Sequence, residues 1–167
     1  TASQMSYLPK LLTHGIKGAD ISGIRFHNAK LPLESLVGAQ GQGLEIILKS
    51  FQITRTLCTA LSCGAGDHAL RIAWNFAAKR RIYSGTLAQL LLIERQLTHA
   101  AIDLLIADCV SLFCSRAINV LPQQMSIISA AAKGFIPTCI EAMVDHLVDV
   151  LGARAYLEGS HEYGEFS

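Results

Sequence analysis

The segment "AKRRIYSGTLAQLL", residues 78–91, decides how the chain is read. Apolar runs with helical spacing lie on both sides of it, and Arg80, Arg81, Tyr83 and a Ser84–Gly85 pair separate them. Serine followed by glycine is turn chemistry, so the two runs are two helices that fold back on one another. A plain hairpin needs only a turn. The arginines therefore pose the question of what they hold.

Upstream, Leu44, Ile47, Leu48, Phe51, Cys58, Leu61, Ala65, Ala69, Ile72 and Phe76 lie mostly three, four or seven apart. That period predicts one helix from Gly43 to about Arg80. "CGAG" at 63–66 weakens it locally, yet small residues let a neighbouring helix approach closely. Downstream, a second helix is expected from near Leu87 through Leu90, Leu91, Leu97, Ala101, Leu104, Leu105 and Leu112 to about Ala117, ended by "NVLP" at 119–122. A third is expected from about Gln123 to Leu151, through Met125, Ile128, Ala132, Phe135, Cys139, Met143, Leu147 and Val150, with Gly152 as its stop. Pro137 should cost it one backbone bond and bend it. Short connections make consecutive helices antiparallel, so the fold class is mainly α: three long helices of an incomplete up-down four-helix bundle.

Residues 1–37 read differently. Pro9, Gly15, Gly18, Gly23 and Pro32 exclude a long helix and leave room for two or three short strands. We expect 1–37 to be the tail of a β-domain and 38–167 to be the helical bundle. "GAQGQG" at 38–43 has the spacing G-x-x-G-x-G, whereas a dinucleotide fingerprint needs G-x-G-x-x-G after a strand.

Composition narrows the function classes. The chain has 167 residues, 51% hydrophobic and only 16% charged, against about a quarter charged in ordinary domains. So little charge cannot cover one chain's surface, which predicts burial in an oligomer or against further polypeptide. A net charge of +1 with no basic stripe argues against nucleic acid as the main partner. No uninterrupted apolar run reaches about 18–20 residues, so no membrane span is expected. Five cysteines without a signal-like N-terminus point to a reducing, cytoplasmic setting. A start at Thr1 and an end on "EYGEFS" give the expectation of a fragment.

Metal and hydrolase patterns fail on spacing. Glu94 and His99, like Glu141 and His146, are five apart, about 500° around a helix, so one ion cannot use both members of a pair. His68, His99 and His146 are expected on polar faces. Cys58 and Cys63, and Cys109 and Cys114, are also five apart, outside zinc-site spacing, and read as buried apolar cysteines. No G-x-S-x-G elbow is present. Arg55 remains, one turn from Phe51 and tending towards the apolar face. It cannot lose its proton and needs an anion or an acceptor, a carboxylate on a neighbouring helix being the simplest. Arg80, ending its helix, also suits the helix dipole.

The order of these elements resembles the acyl-CoA dehydrogenase family. "LPLESLVGAQGQGLEIIL" at 31–48, the arginine-bearing helix, the basic-aromatic-glycine turn and "VLGARAYL" at 150–157 carry the resemblance over essentially the whole chain. It implies an FAD-dependent oxidoreductase acting on the CH–CH group of an acyl thioester, a homodimer or homotetramer, and an electron-accepting flavoprotein as partner. In the family, an Arg-x-x-Phe-Gly turn binds FAD held by a neighbouring subunit. The matching arginine is Arg80, with Tyr83 for the aromatic and the glycine displaced from Ser84 to Gly85. A guanidinium on a pyrophosphate makes a bidentate, charge-assisted contact. A cofactor-contacting glutamine of the family falls on Leu91. The family's Gln-Ile-Leu-Gly-Gly segment falls on Asp149, Val150, Leu151, Gly152 and Ala153, keeping one glycine. Its acyl-CoA contact segment, Asp-x-x-Arg or Glu-x-x-Arg, falls on Gln52, Ile53, Thr54 and Arg55. Loss of the carboxylate at Gln52 admits another thioester carrier, such as an acyl carrier protein. The family's base is a glutamate beyond the third helix or, in a minority, on the first helix, where Thr54 stands here. Glu158 follows the third helix too closely to take that role. The resemblance therefore assigns no catalytic residue, and predicts an inactive fragment of an active protein. The alternative is a non-catalytic helical module for oligomerisation or acyl binding, favoured by Gln52, Leu91 and Ala153.

Overall fold

The computed structural model describes residues 4–13, 15 and 18–157, and the chain divides into two compact units, Thr1–Leu44 and Glu45–Ser167.

In the first unit, β1 (Met5–Tyr7) pairs antiparallel with β2 (Ile24–Phe26), with Ser6 opposite Arg25. Two further backbone bonds, from Leu8 N–H to Gly23 O and from Leu11 N–H to Ile21 O, both 2.8 Å, continue the pairing. All six strand residues are exposed. A two-stranded ribbon of this kind is marginal by itself.

The second unit contains most of α1 (Gly43–Lys79), then β3 (Arg81–Ile82), β4 (Gly85–Thr86), α2 (Leu91–Val120) and α3 (Met125–Leu151). These are the three expected long helices after short strands. The second begins later than the spacing predicts, because Leu87–Gln89 form a separate 3-10 turn. The Thr86 backbone N–H donates to Gln89 Oε1 at 2.8 Å in a capping box, and Leu90 then leaves the helical region before α2 starts. α3 runs through Pro137 without interruption.

Which faces are buried is the main departure. On α1 the buried stripe is Thr56, Thr59, Cys63, Gly66, Ala69, Ile72, Ala73, Phe76 and Ala77. The apolar residues expected in the core at its start, Leu44, Ile47, Leu48, Phe51 and Leu61, are exposed, as are Leu91, Leu105 and Leu112 of α2 and Phe135 of α3. The interior is built from small residues: Ala73, Ala77, Ala100, Ala107, Cys114 and Ala132, closed by Ile136, Met143 and Leu147. Small side chains bring helix axes close, and larger apolar side chains are then left on the outer faces. Gly66 shows how tight the α1–α3 contact is, since a Cβ there would lie 2.9 Å from Ile140 Cδ1 and 3.2 Å from Met143 Cε. Between α1 and α2, Thr59 Oγ1 and Ser111 Oγ share a buried hydrogen bond of 2.8 Å.

The outward apolar residues also raise the average hydropathy of two segments above what their interrupted runs suggest. α2 and the segment from Pro122 to Tyr156 are each long and apolar enough, by length and composition, to cross a membrane. Polar residues interrupt every apolar run, but the average over 18 residues stays high. Only 28% of each such window is buried within this chain.

Candidate functional site

Arg80 closes α1. Its N–H donates to Phe76 O at 2.9 Å, and its own carbonyl accepts from Leu87 N–H at 2.8 Å, which pins the ends of the connecting hairpin together. The hairpin pairs Arg81 with Thr86 and Ile82 with Gly85, leaving Tyr83 and Ser84 as a two-residue loop. Such loops need a left-handed residue to match strand twist, and here Tyr83 supplies it with φ 53°. A tyrosine in that region is strained, and its ring is held out into solvent, 94% exposed. A Cβ at Gly85 would stand where Gln89 Oε1 sits, so any side chain there displaces the capping-box glutamine. The glycine displaced in the sequence thus has a structural duty of its own.

The end of α3 lies at the same end of the bundle. Arg154 places its guanidinium carbon 5.1 Å from the centroid of the Phe76 ring, one turn before Arg80. Gly152 has φ 57° and ψ −136°, a region essentially closed to other residues, and nothing lies within 4 Å of where its Cβ would be. Asp149 and Ala153 are exposed beside it, whereas Val150 and Leu151 point into the core and can offer a ligand only their backbone. The topology therefore brings two segments, over sixty positions apart by their residue numbers, to one end: Arg80 with Tyr83, and Gly152 with its neighbours. Arg80 is exposed and its guanidinium has no partner among the described residues. This end of the bundle thus presents an unpaired guanidinium and a glycine backbone with open space before it, donor chemistry suited to a phosphate-bearing ligand.

The other predicted segment is far from this end. At 1.5 Å per residue, the 24 steps from Arg55 to Lys79 separate the two by about 36 Å along α1. Gln52 and Ile53 line a cavity of about 170 Å³ with Lys49 of α1, Ile118 of α2, Pro122 and Met125. Thr54 turns its hydroxyl onto its own helix, donating to Phe51 O at 3.1 Å. Arg55 is half-buried with no carboxylate partner among the described residues, so the simple ion-pair account of it is not met. Glu158 lies outside the described residues.

Sequence reasoning missed a large cleft. A groove of about 840 Å³ runs between α1 and α2 below the hairpin, with Leu70, Trp74, Leu97 and Ala101 as its apolar walls. Asp67 and Arg71 pair across its edge at 2.7 Å, and that bond holds the Asp67 carboxyl below its ordinary range. Trp74 stands outside every periodic set, so no spacing signal marks it. Among the described residues no group of three or more metal-ligating side chains converges. His68, His99 and His146 are exposed, as expected.

The chain is similar to known proteins along most of its length. The family described as acyl-CoA dehydrogenase, C-terminal domain, matches residues 41–165. The cyclohex-1-ene-1-carbonyl-CoA dehydrogenase of Syntrophus aciditrophicus is 22% identical over 144 residues, covering 86% of this chain and 35% of that protein. The human mitochondrial short-chain specific acyl-CoA dehydrogenase is 23% identical over 145 residues, covering 86% of this chain and 34% of that protein. The solved butyryl-CoA dehydrogenase of Megasphaera elsdenii superposes with a TM-score of 0.88 at 18% identity, covering 98% of this chain and 42% of that one. The chain thus spans about a third of the length of these curated relatives.

Proposed function

Since the chain belongs to the acyl-CoA dehydrogenase family, through its C-terminal helical domain, we propose that it is the C-terminal portion of an FAD-dependent oxidoreductase that desaturates an acyl thioester. The observation that carries this reading is the convergence of the unpaired Arg80 guanidinium and the left-handed Gly152 at one end of the bundle.

In this reading Arg80 holds the cofactor pyrophosphate, Tyr83 lends its exposed ring, and the backbone of 149–153 borders the adenosine side. Bound FAD supplies the hydride acceptor. Arg55 and Gln52 lie about 36 and about 40 Å from that end and meet the thioester carrier of a different active site. Two sites so far apart on one helix cannot serve one cofactor, so this chain contributes to two centres, one of them a neighbouring copy's. A homodimer or homotetramer follows, and the large apolar residues left outside by the small-residue core are the surface it buries. A flavoprotein electron acceptor and a cytoplasmic location, in keeping with five free cysteines, belong to the same proposal. No residue of the described chain is assigned as the base, and these residues alone are expected to be inactive.

Arg80→Ala in the complete protein is the test. Flavin retained through gel filtration, read from its visible absorbance, is expected to fall, with the dissociation constant raised about 10–100-fold, as for losing one charge-assisted contact. Arg80→Lys keeps the charge but not the fork and should recover part of it. Unchanged retention in Arg80→Ala would remove the assignment. A second reading, a non-catalytic module of the same fold, rests on Leu91, 81% exposed where a polar cofactor contact is expected. A colourless complete protein that takes up no FAD on reconstitution would favour it.

A further inference from the structure

The seam between α2 and α3 holds a second cluster, on residues that the cofactor reading does not use. Arg95 and His99 of α2, one turn apart, and His146 of α3 line a cavity of about 180 Å³ with Leu92 and Gln96. No carboxylate lines it. None of the three basic side chains makes a hydrogen bond or ion pair among the described residues. Gln96 adds an independent observation: its Oε1 is inaccessible to solvent yet has no hydrogen-bond partner. Buried polar atoms are nearly always satisfied, and an oxygen sealed from solvent does not face an open groove, so this orphan shows which end of the amide is turned away from the cavity. The Gln96 NH₂ is not sealed and makes no hydrogen bond among the described residues, so it is the end that can face the cavity.

We propose that this seam is an oxyanion site that takes a phosphate group. Arg95 offers a planar fork suited to two phosphate oxygens. His99 and His146 each donate an N–H in either protonation state, and the Gln96 amide supplies a fourth donor from the wall. Donors from two helices and no carboxylate in the lining give selectivity for an anion over a cation. The phosphate arrives either as free inorganic phosphate or as the terminal group of a phosphorylated nucleotide. Both present the same chemistry to these side chains.

The experiment is a titration of the complete protein, followed by imidazole resonances of His99 and His146 in 15N-resolved NMR and by calorimetry. Inorganic phosphate is one probe and adenosine 3′-monophosphate the other. Saturable shifts of both imidazoles are expected, with Arg95→Gln weakening binding about tenfold or more and Gln96→Met several-fold. Arg80→Ala should leave the phosphate titration unchanged, which separates this site from the flavin reading. Tighter binding of the nucleotide, still dependent on Arg95, identifies the nucleotide as source, and equal binding identifies the free ion. Absence of saturable shifts with both probes, or binding indifferent to Arg95→Gln and Gln96→Met, overturns the proposal. All the substituted side chains other than Gln96 are exposed, and circular dichroism of each variant confirms that the helices are intact.

Discussion

Arg154 sits over the face of Phe76, its guanidinium carbon 5.1 Å from the ring centroid, and so ties the turn after α3 to the last turns of α1. Phe76 is itself buried, and its carbonyl accepts the Arg80 N–H. One aromatic ring thereby links the two segments that make up the candidate cofactor end. Arg154→Ala is expected to cost about 0.5–1 kcal/mol of stability, the value of a part-exposed cation–π pair. It should also weaken flavin retention in the complete protein, although Arg154 is not assigned a contact with the cofactor. Urea denaturation gives the first effect and the retained absorbance the second. A stability loss with flavin binding untouched would mean that the tie is structural only.

Gly64 and Gly66, neighbours but one on α1, should respond in opposite directions. A Cβ at Gly66 meets Ile140 and Met143 of α3 at 2.9–3.3 Å, inside ordinary contact. Gly66→Ala therefore forces α1 and α3 apart or a side chain off its rotamer, costing about 1–3 kcal/mol. Gly64 faces open space within the same helix, so Gly64→Ala relieves backbone entropy and stabilises by about 0.5–1 kcal/mol. Thermal melts of both variants check the pair. Equal effects would mean that α3 yields to a Cβ at Gly66 without cost.

These glycines also mark how far the sequence could be read. Period and punctuation located all three helices, because caps and breakers act through nearest neighbours. The inward face was another matter. α1 carries Leu and Phe on one side of its first half and Thr, Cys and Gly near the contact with α2 and α3. Ranking by hydrophobicity chooses the large residues, yet close packing chose the small ones and left Leu44, Phe51 and Leu61 outside. Arg80 and Gly152 were each legible as local patterns in the light of the family resemblance. Their meeting at one end follows from the up-down-up topology. The Arg95, His99 and His146 seam was not legible, since His99 and His146 stand 47 positions apart (146 − 99) on different helices, and only packing brings them together.

Gly152 offers a cleaner test of backbone strain. With φ 57° and ψ −136°, and no atom within 4 Å of where a Cβ would stand, Gly152→Ala meets no clash and its whole cost is conformational. The expected loss is about 1–3 kcal/mol. Gly134→Ala, in the interior of α3 and also facing open space, is the control and should stabilise by about 0.5–1 kcal/mol. Denaturant midpoints of the two variants should move apart. A neutral Gly152→Ala would show that the turn relaxes and is not a fixed part of the cofactor end.

Buried hydroxyls separate a satisfied group from an unsatisfied one. Thr59 Oγ1 bonds Ser111 Oγ at 2.8 Å and Thr56 O at 2.6 Å, so Ser111→Ala removes one partner from a buried network and should cost about 1–2 kcal/mol. Ser129 Oγ is equally buried but has no partner among the described residues. Ser129→Ala therefore discards a desolvation penalty and should be neutral or stabilising by up to about 1 kcal/mol. Chemical denaturation measures both, and a costly Ser129→Ala would reveal an unseen partner for that hydroxyl.

Alkaline pH should expose the buried thiols. Burial pushes the thiols of Cys63, Cys114 and Cys139 above the ordinary value of 9.0, with the Asp108 charge adding to Cys63 and the Asp103 charge to Cys139. A raised value means that the folded chain keeps these protons after the unfolded chain has lost them. The unfolded state then binds fewer protons, so stability falls as pH increases. Their contribution is fully present below the unfolded thiol's value and is lost as pH climbs through the higher folded values. Urea midpoints between about pH 8 and about pH 10.5 should decline, and the triple variant Cys63→Ala, Cys114→Ala, Cys139→Ala should decline less steeply over the same window. Cys109 is exposed, so it stays open to thiol reagents in the triple variant, and loss of its labelling would indicate that the outer face of α2 is covered in the assembly. An alkaline slope identical in both proteins would mean that other groups, not the core thiols, govern stability at high pH.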